Sequence, residues 1–155
     1  MPTVPRVIPV AAPANLHDEV ASRLAGAEQR YTPARRAIVE ALATAGRPVT
    51  VPEIVDGAAE VPLSSAYRNI GVLIDVGVVR RVAGHDDHGR VELAEDLAGH
   101  HHHLVCEVCG RVDDVRPSPR LERALAEAAR AAADELGYEV TEHRFDLHGT
   151  CPECR

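Results

Sequence analysis

His100-His101-His102-His103-Leu104-Val105-Cys106-Glu107-Val108-Cys109-Gly110 is the stretch from which the rest of the chain can be read. Four consecutive imidazoles run into a CxxC turn, and Cys151-Pro152-Glu153-Cys154 supplies the other two of the four cysteines. Imidazole and thiolate are the donors that borderline-soft Zn²⁺ prefers, and two CxxC turns can close a four-thiolate tetrahedron. Cys106, Cys109, Cys151 and Cys154 are therefore read as one structural zinc site, in preference to disulfides or scattered core thiols.

The histidines need a different account. A strand over 100–106 sends successive side chains to opposite faces. His100 and His102 then share one face and His101 and His103 the other, so two places away from the cysteines each receive a pair of imidazoles. Candidate partners on the C-terminal side are Glu122, in the first turn of a long helix, and His143, on the last strand. On the N-terminal side they are Glu92, His85 and His88, on or beside a hairpin. A pair completed from the N-terminal half would tie the two halves together.

Upstream, residues 1–14 show neither helical nor alternating pattern and read as a flexible tail. Asn15 can cap a helix to about Ala27. Thr32-Pro33 opens one that Gly46 ends, with Ile38 and Leu42 inward and Arg35 and Arg36 outward. Thr50-Val51-Pro52-Glu53 has capping-box spacing. Ser64 is placed as the cap of a helix over 65–76, and Gly77 stops it. Val78 to Ala83 and Arg90 to Ala94 flank Gly84-His85-Asp86-Asp87-His88-Gly89 and read as a hairpin. Short helices followed by a hairpin are the order of a winged helix-turn-helix, with Ser64, Ser65, Tyr67, Arg68 and Asn69 on the outer face of the groove-entering helix. Arg68 could read guanine or hold a phosphate, and Arg80 and Arg81 lie where a wing would follow the backbone.

Downstream of a linker, the order is strand (100–106), zinc turn, strand (Val112 to Val115), helix (119–136), strand (139–147) and zinc turn. Ser118-Pro119 starts the helix, and Leu121, Leu125, Ala128, Ala132 and Leu136 form its apolar stripe. The fold class is thus α+β: a winged helix-turn-helix over 15–95, a hinge at 96–99 and a small α/β unit with a four-cysteine zinc site over 100–155.

Composition narrows the function. A formal net charge of −7 excludes a general polycation, so DNA contact must come from a local basic surface. With aromatics at 3% and no Trp, stacking platforms for single strands are improbable. No apolar run is long enough for a membrane span, and the N-terminus lacks a secretory pattern, so a cytoplasmic setting with reduced thiols is expected.

These residues together resemble the ferric uptake regulator family of bacterial metal-dependent transcriptional repressors. The resemblance runs from about residue 15 and rests on Arg30-Tyr31-Thr32-Pro33-Ala34-Arg35, Ser64-Ser65-Ala66-Tyr67-Arg68, Val91-Glu92-Leu93, the histidine run into Cys106, Cys109-Gly110-Arg111-Val112, His143 and the terminal CxxC. It implies a homodimer on double-stranded operator DNA, with the N-terminal domain on DNA and the C-terminal domain dimerising. It assigns the cysteines to structural Zn²⁺. His101, His103 and Glu92 go to a regulatory hinge site for a second divalent ion, Fe²⁺ or Zn²⁺, with Mn²⁺ or Ni²⁺ as further possibilities. His100, His102, Glu122 and His143 go to a site within the dimerisation domain. Ser64, Ser65, Tyr67, Arg68 and Arg35 form the expected DNA-contacting set.

The chain departs from the pattern at Arg47-Pro48-Val49-Thr50, where many iron-type members carry a histidine, and has no fifth cysteine near the hinge. His85 is the expected fourth hinge ligand, ahead of His88 and Glu95. The function expected is a metal-sensing repressor of metal-homeostasis genes, neither an enzyme nor a binder of small-molecule substrates. Its alternatives are a peroxide sensor of the same family, a zinc-dependent hydrolase with Glu122 as base, and a CxxC thiol oxidoreductase.

Overall fold

Thr32 and Thr50 each open a helix as their spacing predicts. In the computed structural model, which describes residues 14–58, 60–82 and 89–155, the Thr32 hydroxyl accepts from Arg35 N at the start of α2 (Pro33–Ala45), and Gly46 ends that helix at φ 55°. Thr50 and Glu53 form a complete capping box at the start of α3 (Val51–Gly57). The preceding α1 (Leu16–Gly26) begins without a side-chain cap from Asn15.

The following helix, α4, runs Leu63–Asp75 and is entered from Pro62, whose φ of −59° and ψ of 144° already aim the chain into the first turn. Ser64 therefore lies inside the helix rather than capping it. Leu24, Ile38, Val39, Ile54, Leu73 and Val78 are fully buried between these helices. Burial of such side chains contributes roughly 1.5–3 kcal/mol each.

Strands β1 (Val79–Val82) and β2 (Arg90–Leu93) pair antiparallel, Arg80 opposite Glu92, and Val49 joins them through a bridge to Val91. This is a winged helix-turn-helix. Residues 1–13 of the expected tail at 1–14, and the expected wing tip with His85 and His88, lie outside the described residues.

The expected linker is a single helical turn, α5 (Glu95–Ala98). Leu97 sinks into the N-terminal core, and Arg23 clamps the turn by donating to Asp96 and to Gly77 O. An apolar anchor and a paired acid thus order a segment whose composition reads as linker.

Strand β3 (His102–Cys106) is central in the second sheet, antiparallel to β4 (Val112–Val115) and parallel to β5 (Asp146–Gly149). It begins two residues later than predicted, and the last strand is displaced from 139–147 because its pairing starts only where β3 offers His103 to Asp146.

The crossover helix α6 (Pro119–Leu136) is capped by Ser118 and stopped by Gly137 at φ 72°, yet none of its residues is buried. Leu136 and Tyr138 are 67% and 73% exposed, and the neighbouring Leu104 and Leu147 are also exposed. Among the described residues the C-terminal half buries only Val105, Cys106 and Val112 as apolar core.

Candidate metal centres

The hairpin turn after β3 and the chain end after β5 bring the four thiols together. Cys106, Cys109, Cys151 and Cys154 offer sulfurs that all lie within 4.8 Å of one another. Cys109 Sγ and Cys151 Sγ are 3.8 Å apart. A tetrahedron of sulfurs ~2.3 Å from one ion has edges of about 3.8 Å, so the set fits Zn²⁺. Backbone N–H groups of Cys109 and Cys151 push the Cys106 thiol down to about 6, while hydrogen bonding to Cys151 and Cys109 pushes Cys154 up to about 12. Thiols gathered this closely cannot all ionise without a cation among them.

The histidines alternate. His100 and His102 meet Glu122 and His143, again within 4.8 Å. Glu122 stands in the first turn of α6, and its carboxylate is the hub: Oε1 is 2.8 Å from His102 Nε2, and Oε2 is 3.1 Å from His100 Nε2 and 3.4 Å from His143 Nε2. Burial works against its ionisation, but hydrogen bonding from His102 and the nearby imidazoles hold the carboxyl below its ordinary range. Glu95 pairs with His100 Nδ1 from the hinge side.

On the other face, His101 and His103 meet Glu92 and Asp114, and all four residues are buried. Glu92 Oε2 is 3.2 Å from both His101 Nε2 and His103 Nε2. Asp114 Oδ2 is 3.9 Å from His101 Nε2. Each ring is held from behind: His101 Nδ1 is 2.7 Å from Gly99 O, and His103 Nδ1 is 3.3 Å from Asp146 Oδ1. Donating Nδ1–H outward leaves Nε2 to face the cluster, the arrangement in which histidine ligates metals. Asp114 Oδ1 is buried with no hydrogen-bond partner among the described residues, so it has acceptor capacity that a cation would use. Burial pushes its carboxyl up to about 6. For Glu92, hydrogen bonds from both histidines outweigh burial and bring it down to about 2. The residues present therefore fit a divalent ion.

His85, the expected fourth ligand, lies outside the described residues, and the fourth member of this cluster is Asp114, which sequence reasoning did not name. The signal was its two-residue spacing on β4, but its place opposite His103 depends on a register that β3 and β4 adopt only when paired. Arg47 donates to Glu53 and Pro48 O and adds no donor to the hinge cluster.

On α4, Ser64, Tyr67 and Arg68 are exposed and Ser65 is half-buried. Arg35 is a correction. It is only 9% exposed, and its guanidinium donates to Asn69 Oδ1 (3.1 Å), Arg30 O (2.6 Å) and Gln29 Oε1 (3.0 Å). The helical pattern puts it outward, but α4 and the turn before α2 supply three acceptors that draw it in. It fixes the pose of α4 rather than standing free at the surface.

Residues 26–148 match the family model described as the ferric uptake regulator family. The peroxide-responsive repressor PerR of Staphylococcus aureus (strain USA300) is 30% identical over 144 residues, 90% of this chain and 91% of that protein. Among solved structures, the Helicobacter pylori ferric uptake regulator Fur, described as having three functional metal-binding sites, superposes with a TM-score of 0.73 over 97% of each chain at 18% identity, a likeness of fold. A zinc-bound manganese uptake regulator superposes with a TM-score of 0.66 at 27% identity, over 88% of this chain and 98% of that one.

Proposed function

The chain belongs to the ferric uptake regulator family of metal-responsive repressors, and we propose that it senses a divalent metal at the hinge and represses metal-homeostasis genes by binding a palindromic operator as a homodimer. Its relatives are transcriptional regulators and not enzymes, which removes the hydrolase and oxidoreductase readings.

The observation that carries the proposal is the hinge cluster. Glu92 comes from the wing hairpin, and His101, His103 and Asp114 come from the C-terminal sheet and the approach to it. An ion held by all four fastens the DNA-binding half to the other half. It can shift the protein toward the DNA-competent geometry by no more than its differential affinity for the two arrangements. Two imidazoles and two carboxylates suit Fe²⁺ or Zn²⁺, and the same donors also accept Mn²⁺ or Ni²⁺.

In this reading the chain divides at the α5 turn. Residues 15–95 bind DNA through Ser64, Ser65, Tyr67 and Arg68, and residues 100–155 dimerise, held by Zn²⁺ on the four cysteines. Supporting dimerisation, α6 has no buried residue and the paired Leu104 and Leu147 are exposed, apolar surface left open among the described residues. A two-fold dimer reads a two-fold site.

The experiment is operator binding by the purified, zinc-loaded protein, titrated separately with Fe²⁺, Zn²⁺, Mn²⁺ and Ni²⁺. Activation by none of them would sink the proposal. The resemblance to PerR favours a second reading, a peroxide sensor. In that case the iron-loaded complex loses DNA on exposure to peroxide through oxidation of a hinge histidine, and the zinc-loaded complex does not.

A further inference from the structure

We propose that Arg80 is a built-in competitor for the hinge ion and so sets the metal concentration at which this protein responds; the inference rests on the hinge cluster being a metal site.

Arg80 stands on β1 directly across from Glu92 on β2. Its Nε donates to Glu92 Oε1 at 2.6 Å, its Nη1 donates to Glu95 Oε2 at 3.4 Å, and its Nη2 lies 3.4 Å from His101 Nε2. A guanidinium has only N–H donors and stays charged at any relevant pH. Toward His101 it faces Nε2, the nitrogen an ion would need, because Nδ1 faces Gly99 O. A single permanent cation thus holds the carboxylate of Glu92 and crowds Nε2 of His101.

Arg80 is tethered to the strand that pairs with Glu92, so it cannot diffuse away as a buffer cation would. The competition is intramolecular and does not fall with dilution. Glu92, with a side chain only 6% exposed, would be costly to leave buried without a cation. Arg80 supplies that cation, and the incoming ion has to take over its role.

The geometry also shows where the guanidinium goes. Glu95, on α5, already accepts Nη1 at Oε2 while its Oε1 pairs with His100, so Oε2 is the acceptor that can hold the displaced guanidinium. Metal entry therefore transfers Arg80 from the hinge carboxylate to the linker turn. Every divalent ion has to make this exchange, so Arg80 raises the concentration threshold for all of them by a common factor. Arg81, the next residue, is exposed on the opposite face of the strand and takes no part.

The test measures hinge affinity for Zn²⁺ and Mn²⁺ by competition with a chromophoric chelator, in the full chain with its cysteine zinc in place. A neighbouring charge shifts an ionisation by about a unit or more, so Arg80→Gln should tighten hinge binding by about tenfold or more. Arg80→Lys, which keeps the charge, should stay much closer to wild type. Glu95→Gln should act in the opposite direction and weaken hinge binding, because the displaced guanidinium loses its acceptor. Thermal melting gives a second readout: Arg80→Gln should lower the Tm of the protein without hinge metal and leave the hinge-loaded Tm nearly unchanged.

Unchanged or weaker hinge affinity in Arg80→Gln, with wild-type cysteine zinc, overturns the proposal, as does tighter binding in Glu95→Gln. A second ion in the wild-type protein that ignores His103→Ala overturns the proposal together with the hinge reading.

Discussion

Glu92 Oε2 and His103 Nε2 lie 3.2 Å apart although Glu92 closes the wing hairpin and His103 stands on the central strand of the other sheet. Glu92 is one of the few buried side chains in the first half with no apolar role, and its nearest partners are in the second half or on the facing strand. The two halves are therefore connected by a buried side-chain contact as well as by chain.

The alternation of His100 to His103 predicts two separable phenotypes. Replacing His101 and His103 by Ala should abolish metal-activated operator binding while leaving a folded, zinc-containing dimer. Replacing His100 and His102 should remove a different ion, the one shared with Glu122 and His143, and weaken the C-terminal unit. Metal stoichiometry and operator binding on both doubles check this, and identical losses would refute it. A coupling of roughly 1–3 kcal/mol between metal and DNA is typical of allosteric regulators, and by reciprocity operator DNA should tighten the hinge ion equally.

Arg35 and Arg68 should fail differently. Arg68 is exposed on α4, and Arg68→Ala should weaken operator binding by roughly 1–3 kcal/mol with thermal stability unchanged. Arg35→Ala removes three hydrogen bonds from a buried guanidinium and should cost roughly 1–3 kcal/mol of stability, read as a lower urea midpoint, with DNA affinity falling as a consequence. Arg35→Ala with full stability and reduced affinity would return it to the DNA-contacting set.

Cys106→Ser should release the cysteine zinc and unfold or monomerise the C-terminal half, because that half has little apolar core to fall back on. Zinc analysis with size-exclusion chromatography decides it. A dimeric mutant with full zinc would show that the thiols are not the staple.

The pH dependence has a definite sign. Without metal, burial pushes His101 down but Glu92 and Gly99 O more than compensate, raising it to about 9 from 6.5. Its contribution to stability is fully present below 6.5 and is lost as pH rises through about 9. An ion needs the same nitrogen deprotonated, so hinge affinity should climb with pH up to about 9, with a proton released on binding at neutral pH. Calorimetry in buffers of different ionisation enthalpy measures that proton, and uptake instead of release would contradict the assignment.

Features set by local periodicity are legible in the order of the residues alone. The CxxC pairs announce the thiol cluster because four residues of turn bring two sulfurs together, and strand alternation sorts four histidines into two pairs. Capping hydroxyls and stop glycines mark α2 and α6, and a capping box marks α3. What depends on distant pairing is not legible in that way. Asp114 enters the hinge cluster through the β3–β4 register, and Asp146 reaches His103 through a parallel pairing across α6. Arg35 turns inward because its acceptors belong to α4 and a preceding turn, and His85 belongs to a wing tip outside the described residues.

The bare stripe of α6 has a consequence for how much protein is needed. In the proposed dimer, a half that among the described residues buries little apolar surface by itself takes its apolar stabilisation from the second copy, so its folding and association become one equilibrium. The melting temperature should then rise with concentration, and the number of copies in a cell would govern how long each one survives unfolding and proteolysis. A repressor of this build would be self-limiting at low abundance: below a threshold of expression, its C-terminal half loses the partner that stabilises it, while the N-terminal core stands by itself.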